Sequence, residues 1–230
     1  MKKVLVAVLV VAVTLIGASA AMAKIGNSKH DLSFGNTQAN VIKESTAGLS
    51  SCQFCHTPHN SNTAMTVAPL WNKTANSSYS AYNSNGTGGT LAGTAVGAPG
   101  QHSLTCLSCH DGVSSVGVTY ANGTRTMADQ AGRSSGGVLS AGNLANLSTD
   151  LRNDHPVGFD IVDDGRAGID TLANMKNKGF TFYIDGTRTN SMECATCHDP
   201  HGFDKSTGNA NAPFLRSAKA TLCSDCHVNK

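Results

Sequence analysis

The chain has 230 residues, of which only 5% are aromatic and 14% are charged, while glycine occurs 24 times. Side chains of this composition supply little apolar mass, so a conventional hydrophobic core is not expected. The formal net charge of +2 is too small to indicate a nucleic-acid partner.

The first 23 residues have the three-part pattern of a secretory signal peptide. A basic start at Lys2 and Lys3 precedes an apolar run over 4–16, and small residues lead to Ala21-Met22-Ala23, an A-x-A cleavage site. A retained membrane anchor is the alternative, but the run is shorter than the ~20 residues that span a bilayer. We therefore expect 1–23 to be removed and the mature chain to be exported, to the cell surface, the extracellular space or the periplasm.

Cleavage also changes the charge balance of the chain. Removing the two leader lysines from the 17 basic residues leaves 15, which equals the number of acidic residues. A nucleic acid or an anionic membrane surface therefore has no electrostatic support as a partner of the mature chain. No later stretch is apolar enough to span a bilayer, so we expect no membrane span.

The next predicted elements are four copies of one cysteine motif. All eight cysteines occur as C-x-x-C pairs, and each pair is followed at once by a histidine. With nine histidines in 230 residues, four such histidines arise by chance with odds of about two in a million. The units are Cys52/Cys55/His56, Cys106/Cys109/His110, Cys194/Cys197/His198 and Cys223/Cys226/His227.

C-x-x-C-H is the attachment signature of c-type haem. Two thiols three positions apart lie on one side of a helical turn, so both can form thioethers to one porphyrin edge, and the next residue offers its imidazole to iron. Disulfides or zinc sites are the alternatives for these cysteines, but neither requires a histidine after every pair. The sequence therefore predicts four covalently bound haem c groups, each with its iron.

Each haem iron bound by a motif histidine has a second axial position, which histidine or methionine usually fills. Outside the four units the chain has five further histidines, and the mature chain has four methionines, each an ordinary apolar side chain. Five spare histidines for four irons favour bis-histidine ligation. The histidines are His30, His59, His102, His155 and His201, and the methionines are Met65, Met127, Met175 and Met192.

His59 lies three residues after His56, just past a proline. At most about 10 Å of extended backbone separates the two, so His59 cannot pass around the haem of its own unit. If His59 binds iron, the iron belongs to a different haem. The same C-x-x-C-H-x-P-H pattern recurs over Cys194–His201, so each of these units would hold two haems close together.

The similarity of these two units continues downstream. The segment 68–72 (APLWN) resembles 212–216 (APFLR), and each is followed by a further haem unit. We therefore expect an N-terminal dihaem module over 24–110 and a C-terminal dihaem module over 194–230. The 111–193 stretch between them has no haem motif.

This haem-free insert contains two near-copies, YANGTRT from Tyr120 and YIDGTRT from Tyr183. Their Asn-Gly and Asp-Gly pairs predict hairpin turns. A short helix is predicted from about Asp170 to Lys178, ended by glycine. Runs rich in Gly and Ser over 83–100 and 132–142 predict loops.

The remaining spare histidines differ in their settings. His155, in the insert, precedes Pro156, and a residue before proline favours an extended backbone, which would present a rigid distal imidazole. His30 lies seven residues into the mature chain, where an iron bond would anchor a terminus that is normally mobile. His102 lies four residues before Cys106, too close to reach the far face of its own haem, and ranks last of the five.

In chain order the sequence contains the motifs HDLS, CQFCHTPH, APLWN, CLSCHDG, NDHPVGF, CATCHDPHG, FLR and LCSDCH. Together they resemble the multihaem c-type cytochromes of metal-reducing bacteria, and among them the tetrahaem members that polymerise into extracellular filaments. The resemblance runs from His30 to the C-terminus. It implies a multihaem cytochrome c fold, mostly loops with short helices at the haem motifs and a few short β-hairpins, with a core built on stacked haems. It favours His30, His59, His155 and His201 as distal ligands.

The expected function is electron transport, without enzymatic activity. The resemblance implies identical subunits joined head to tail, exchanging electrons with redox-partner cytochromes and with external acceptors such as metal oxides. A soluble periplasmic shuttle is the alternative. A multihaem reductase needs an open iron, and no unit departs from C-x-x-C-H to single one out. A structural or adhesive haem protein would not need paired haems held by H-x-P-H.

Overall fold

The computed structural model describes residues 25–82, 91, 96–130, 132–163, 168–202 and 214–228, so the expected leader lies outside the described residues. Regular structure within these ranges is short and most residues lie in turns and loops, as expected. The helices are α1 (Gln101–His110), α2 (Leu172–Asn177) and α3 (Cys194–Cys197). The strands are β1 (Ile42–Glu44), β2 (Val118–Thr119), β3 (Gly123–Thr124), β4 (Met127–Asp129), β5 (Ser134–Ser135), β6 (Val138–Leu139), β7 (Phe159–Asp160), β8 (Tyr183–Asp185) and β9 (Arg188–Met192).

The strands form small antiparallel sheets. β2 pairs with β3, β5 pairs with β6, and β9 lies between β7 and β8. β1 pairs with β4, with Ile42 opposite Asp129 and Glu44 opposite Met127. This last pair joins the N-terminal segment to the haem-free insert, across the predicted boundary at 110/111.

Both predicted hairpin turns are confirmed. The first joins β2 to β3 through 120–122, directly before Gly123, and the second joins β8 to β9 through Gly186 and Thr187. These glycines have φ angles of 67° and 59°, a left-handed conformation that strains residues with a Cβ but costs glycine little. The turn dipeptides therefore act as local signals, independent of packing.

The loop predicted over 132–142 is wrong in part, because β5 and β6 form a further hairpin there. Its turn is made by Gly136 and Gly137, at φ angles of 58° and 81°, and a two-residue hairpin turn of this kind favours Gly-Gly. The flanking strands are only two residues long, so they show no alternation. Of the other predicted loop, 83–100, residues 83–90 and 92–95 lie outside the described residues, and 96–100 contain no helix or strand.

The predicted helix of the insert is confirmed as α2. It begins after Thr171, whose side chain accepts a hydrogen bond from the backbone N–H of Asn174 at 3.2 Å, the usual role of an N-cap. It ends at Asn177, followed by Lys178 as the C-cap and by Gly179 at a φ of 103°.

The apolar interior is thin. Within the described residues, one cluster of buried hydrophobic side chains is found, formed by Ile42, Val116 and Leu139, with Cys109 and Met127 packed against it. Other buried side chains lie within the cysteine motifs themselves, such as Phe54 and Leu107, both fully buried. A chain of this length usually buries a larger apolar core.

A buried carboxylate connects two of the cysteine motifs. The carboxylate of Glu193, 1% exposed, accepts hydrogen bonds from the backbone N–H of Gly100 at 3.1 Å and from the hydroxyls of Ser103 and Ser191 at 2.5 and 2.6 Å. It also caps α3 by accepting from the backbone N–H of Thr196. Ser103 lies on α1, so these bonds join the second motif to the third.

Glu193→Ala is expected to lower the free energy of unfolding by about 3 kcal/mol, because buried donors that lose their acceptor cost ~1–3 kcal/mol each. Guanidinium denaturation of the purified protein measures the change. Asp150→Ala is the matched control: that carboxylate lies at the surface, paired with Arg152, and its loss is expected to leave the midpoint nearly unchanged. Equal midpoints for wild type and Glu193→Ala would contradict the role of Glu193.

Candidate haem-iron sites

Each cysteine motif forms a helical turn. In the first, third and fourth units the backbone N–H of the histidine donates to the carbonyl of the first cysteine, at 2.8, 3.1 and 2.8 Å. The second unit is the C-terminal end of α1. Such a turn places two thiols that are three residues apart on one side, which is the arrangement needed for attachment to one porphyrin edge.

All eight cysteines lie in described residues, and none forms a disulfide. Their side chains are half-buried or exposed. Within the same ranges, no group of three or more His, Cys, Asp or Glu side chains is arranged to hold a metal ion.

Thiols of successive units lie close enough to shift each other's pKa. Burial, with the thiol of the next unit adding to the effect, raises the pKa of Cys55 to about 12. A thiol–thiol hydrogen bond raises the pKa of Cys106 and lowers that of Cys194. In space the units therefore follow each other in chain order. The thiols that act on each other are Cys55 with Cys109, Cys106 with Cys194, and Cys197 with Cys223.

Two motif histidines are oriented by backbone carbonyls. Nδ1 of His56 lies 2.7 Å from the carbonyl oxygen of Pro69, and Nδ1 of His110 lies 2.7 Å from that of Ala145. A carbonyl oxygen only accepts, so Nδ1 carries the proton and Nε2 keeps its lone pair. Contacts of this kind orient metal-binding imidazoles in proteins. Nε2 of each ring is thus the nitrogen available to iron.

Three of the spare histidines have rings close to those of motif histidines, and these three couples are called the opposed pairs. An iron bound between two imidazoles, with bonds of about 2 Å and about 1.2 Å from nitrogen to ring centre, would separate the ring centres by about 6.4 Å. The angle between the two ring planes is not restricted, because both planes contain the line through the iron and the two coordinating nitrogens. The observed separations are 6.0 Å for His30 and His110, 6.0 Å for His56 and His201, and 6.5 Å for His155 and His227. All three separations therefore fit an iron between the rings.

His30 is held in an apolar setting. Its ring stacks on Phe214, with centroids 4.7 Å apart and planes inclined by 14°. Burial, with the imidazoles of His110 and His198 adding to the effect, lowers the pKa of His30 to about 4. At neutral pH the ring is therefore neutral, the form that binds a metal. His198 thus lies in the same neighbourhood as the second unit.

The similarity between 68–72 and 212–216 extends to the backbone, in the part of each segment that is described. Leu70 and Phe214 both have left-handed φ angles, 56° and 55°. Each segment lies along its C-x-x-C-H-x-P-H unit with the same pair of hydrogen bonds. These are Thr57 N to Leu70 O and Asn72 N to Cys55 O, then Asp199 N to Phe214 O and Arg216 N to Cys197 O, all at 2.8 Å.

The last two spare histidines have opposite settings. The His59 side chain is exposed, and it makes no hydrogen bond or ring contact with any residue of the described ranges. His102 packs on Tyr183 with ring centroids 3.9 Å apart, too close for an iron between them. Its Nδ1 is buried and has no hydrogen-bond partner within the described part of the chain. Burial lowers the pKa of His102.

The methionines are packed into the protein. Met65, Met175 and Met192 are buried, and Met127 packs against the small apolar cluster. The sequence alone does not identify the backbone carbonyls that orient the motif histidines. One of them lies in the APLWN segment, whose near-repeat APFLR is the only signal for it in the sequence.

Comparison with known proteins finds no family model that matches the chain and no curated protein that is significantly similar to it. Among the described residues, no helix has the length and apolar character needed to cross a membrane.

Proposed function

We propose that the chain is an exported tetrahaem c-type cytochrome that carries electrons along four bis-histidine haems. The observation that carries this proposal is the set of three opposed imidazole pairs, each at the separation that an iron requires. In each pair a motif histidine faces a histidine from a distant part of the chain. His201 is assigned to the first haem, His30 to the second and His155 to the fourth.

Bound haem supplies a one-electron iron couple, and the chain's residues determine how that couple is used. The cysteine thiols would hold each porphyrin edge and the histidines would bind its iron, which would leave no position for a substrate. The proximity of thiols in successive units supports a continuous path through the four haems in chain order. Electron transfer without catalysis is the function that this arrangement favours.

We propose further that identical subunits assemble head to tail into an extracellular filament, which passes electrons from redox-partner cytochromes to external acceptors such as metal oxides. The three opposed pairs account for the first, second and fourth irons. Of the two spare histidines that remain, His102 packs on Tyr183, whereas His59 is exposed. Because its side chain is exposed, His59 is assigned to a haem of the next subunit. A soluble periplasmic shuttle is the second candidate.

Denaturing mass spectrometry of the exported protein tests the proposal. The expected mass is that of the chain 24–230 plus four haems. The electron paramagnetic resonance spectrum is expected to be low-spin, and carbon monoxide should not bind to the reduced protein, because imidazoles fill both axial positions. A chain with disulfides and no haem would refute the cytochrome, and stoichiometric carbon monoxide binding by the wild type would favour a reductase.

A matched pair of variants tests the ligand assignment. His201→Ala is expected to open one iron, so that one equivalent of carbon monoxide binds per subunit while three haems stay low-spin. His102→Ala is expected to bind none, since His102 lies against Tyr183 rather than opposite a motif histidine. If His102→Ala bound carbon monoxide and His201→Ala did not, the ligand assignment would be reversed.

A further inference from the structure

Lys73 is a buried cationic side chain, 2% exposed. Its Nζ donates hydrogen bonds to the carbonyl oxygens of Val116 and Val118, at 2.9 and 2.8 Å. Among the described residues, no carboxylate lies within ion-pairing distance of Lys73. A buried charge without a counter-ion is costly, and here only carbonyl dipoles compensate for it.

The backbone at Lys73 lies beside the first haem unit. The preceding residue, Asn72, donates its backbone N–H to the carbonyl of Cys55 at 2.8 Å. Asn62 donates its side-chain N–H to the carbonyl of Lys73 at 2.9 Å. Burial raises the pKa of the Cys55 thiol, and the charge of Lys73 opposes that rise. The buried cation therefore acts on the cysteine edge of the first unit.

Asp111 is a buried carboxylate at the second unit, fully inaccessible and directly after His110. It accepts hydrogen bonds from the backbone N–H groups of Val113 and Ser114, at 3.0 and 2.7 Å, and from the Ser114 hydroxyl at 2.7 Å. It takes part in no ion pair within the described ranges. Burial lowers the pKa of His110, and the charge of Asp111 opposes that effect.

These two charges have opposite effects on a redox centre. Reduction removes one positive charge from an iron, so a nearby cation favours the reduced form and a nearby carboxylate favours the oxidised form. In the low dielectric of a protein interior such effects are much larger than at the surface. Burial and nearby charge are among the levers by which a protein adjusts the potential of its haems.

We infer that Lys73 and Asp111 separate the reduction potentials of the first and second haems, with the first above the second. The inference rests on the proposed function. Because the Cys109 thiol lies close enough to raise the pKa of Cys55, one electron would exchange between these two haems, the second iron being oxidised as the first is reduced. The electron therefore resides mainly on the first haem.

Lys73→Gln tests the inference, because the amide still donates a hydrogen bond but carries no charge. The ratio of electron occupancy between the first and second haems is expected to fall about tenfold, equivalent to about 59 mV for one electron. Trp71 is the only tryptophan of the chain, and its ring lies edge-on to His56 at 5.7 Å. Its indole NMR signal, shifted by oxidised iron, reports the first haem during stepwise reduction of the holoprotein.

Asp111→Asn is the second variant, and its effect is expected on the other haem. The reduction midpoint of the first haem, which Trp71 reports, should be unchanged. The midpoint of another one-electron step should rise. The occupancy ratio again falls. This variant also keeps the inference testable if Lys73→Gln does not fold.

Lys29→Gln is the matched control. Nζ of Lys29 also donates to two backbone carbonyls, those of Ala39 and Asn40, at 2.9 and 3.1 Å, but the side chain is exposed, so solvent screens its charge. Its titration should match the wild type. Unchanged midpoints in Lys73→Gln or Asp111→Asn, with four haems and a low-spin spectrum intact, would overturn the inference. Absence of haem from the wild type would instead overturn the proposed function.

Discussion

A mature chain made in the cytoplasm without haem attachment is expected to be unfolded. The described residues contain a single small cluster of buried hydrophobic side chains, and their helices and strands are short. Ordering each residue costs about 1–2 kcal/mol of conformational entropy, which apolar burial must offset. Haem groups, held between the cysteine motifs and their distal histidines, are the apolar mass that we expect to complete the core.

Circular dichroism and proton NMR of the apoprotein over 24–230 measure this. The expected spectra show little helix and little chemical-shift dispersion, and thermal melting lacks a cooperative transition. The exported holoprotein, compared under the same reducing conditions, is the control and should melt cooperatively. A well-dispersed, cooperatively folding apoprotein would show that the side chains alone suffice.

His59→Ala is expected to abolish filaments while each subunit keeps four covalent haems. The His59 side chain is exposed and makes no hydrogen bond or ring contact within the described ranges. The preceding motif would hold His59 beside the proposed first haem, so an iron of another subunit that His59 binds would lie at the junction between the two subunits. A bond from one subunit to a different site on the next is a heterologous contact, which propagates without closing into a ring.

Electron microscopy of material sheared from cells would show the loss of filaments, and denaturing mass spectrometry would show the four haems. One haem per subunit is expected to become five-coordinate and to bind carbon monoxide. His102→Ala is the matched control, because it removes the other spare histidine and should leave filaments intact. Normal filaments and a fully low-spin spectrum in His59→Ala would exclude His59 as the bridge between subunits.

The sequence by itself determined the features that depend on neighbouring residues. The candidate haem-attachment units could be identified because two thiols and an imidazole must lie within one helical turn, which their spacing along the chain specifies. The hairpins at Gly123 and Gly186 and the helix α2 could be predicted because their turn and cap residues act locally. The hairpin at Gly136 and Gly137 was missed because its strands are too short to show a pattern.

Only the tertiary structure decided which histidines face each other. The opposed rings belong to residues 72 to 145 positions apart in the chain, and the path between them runs through turns with no periodic signal. Nor does the sequence distinguish Lys73 and Asp111 from lysines and aspartates at the surface. Whether a charge is buried depends on segments that fold over it from elsewhere, here the carbonyls of Val116 and Val118, and such long-range packing has no local signature.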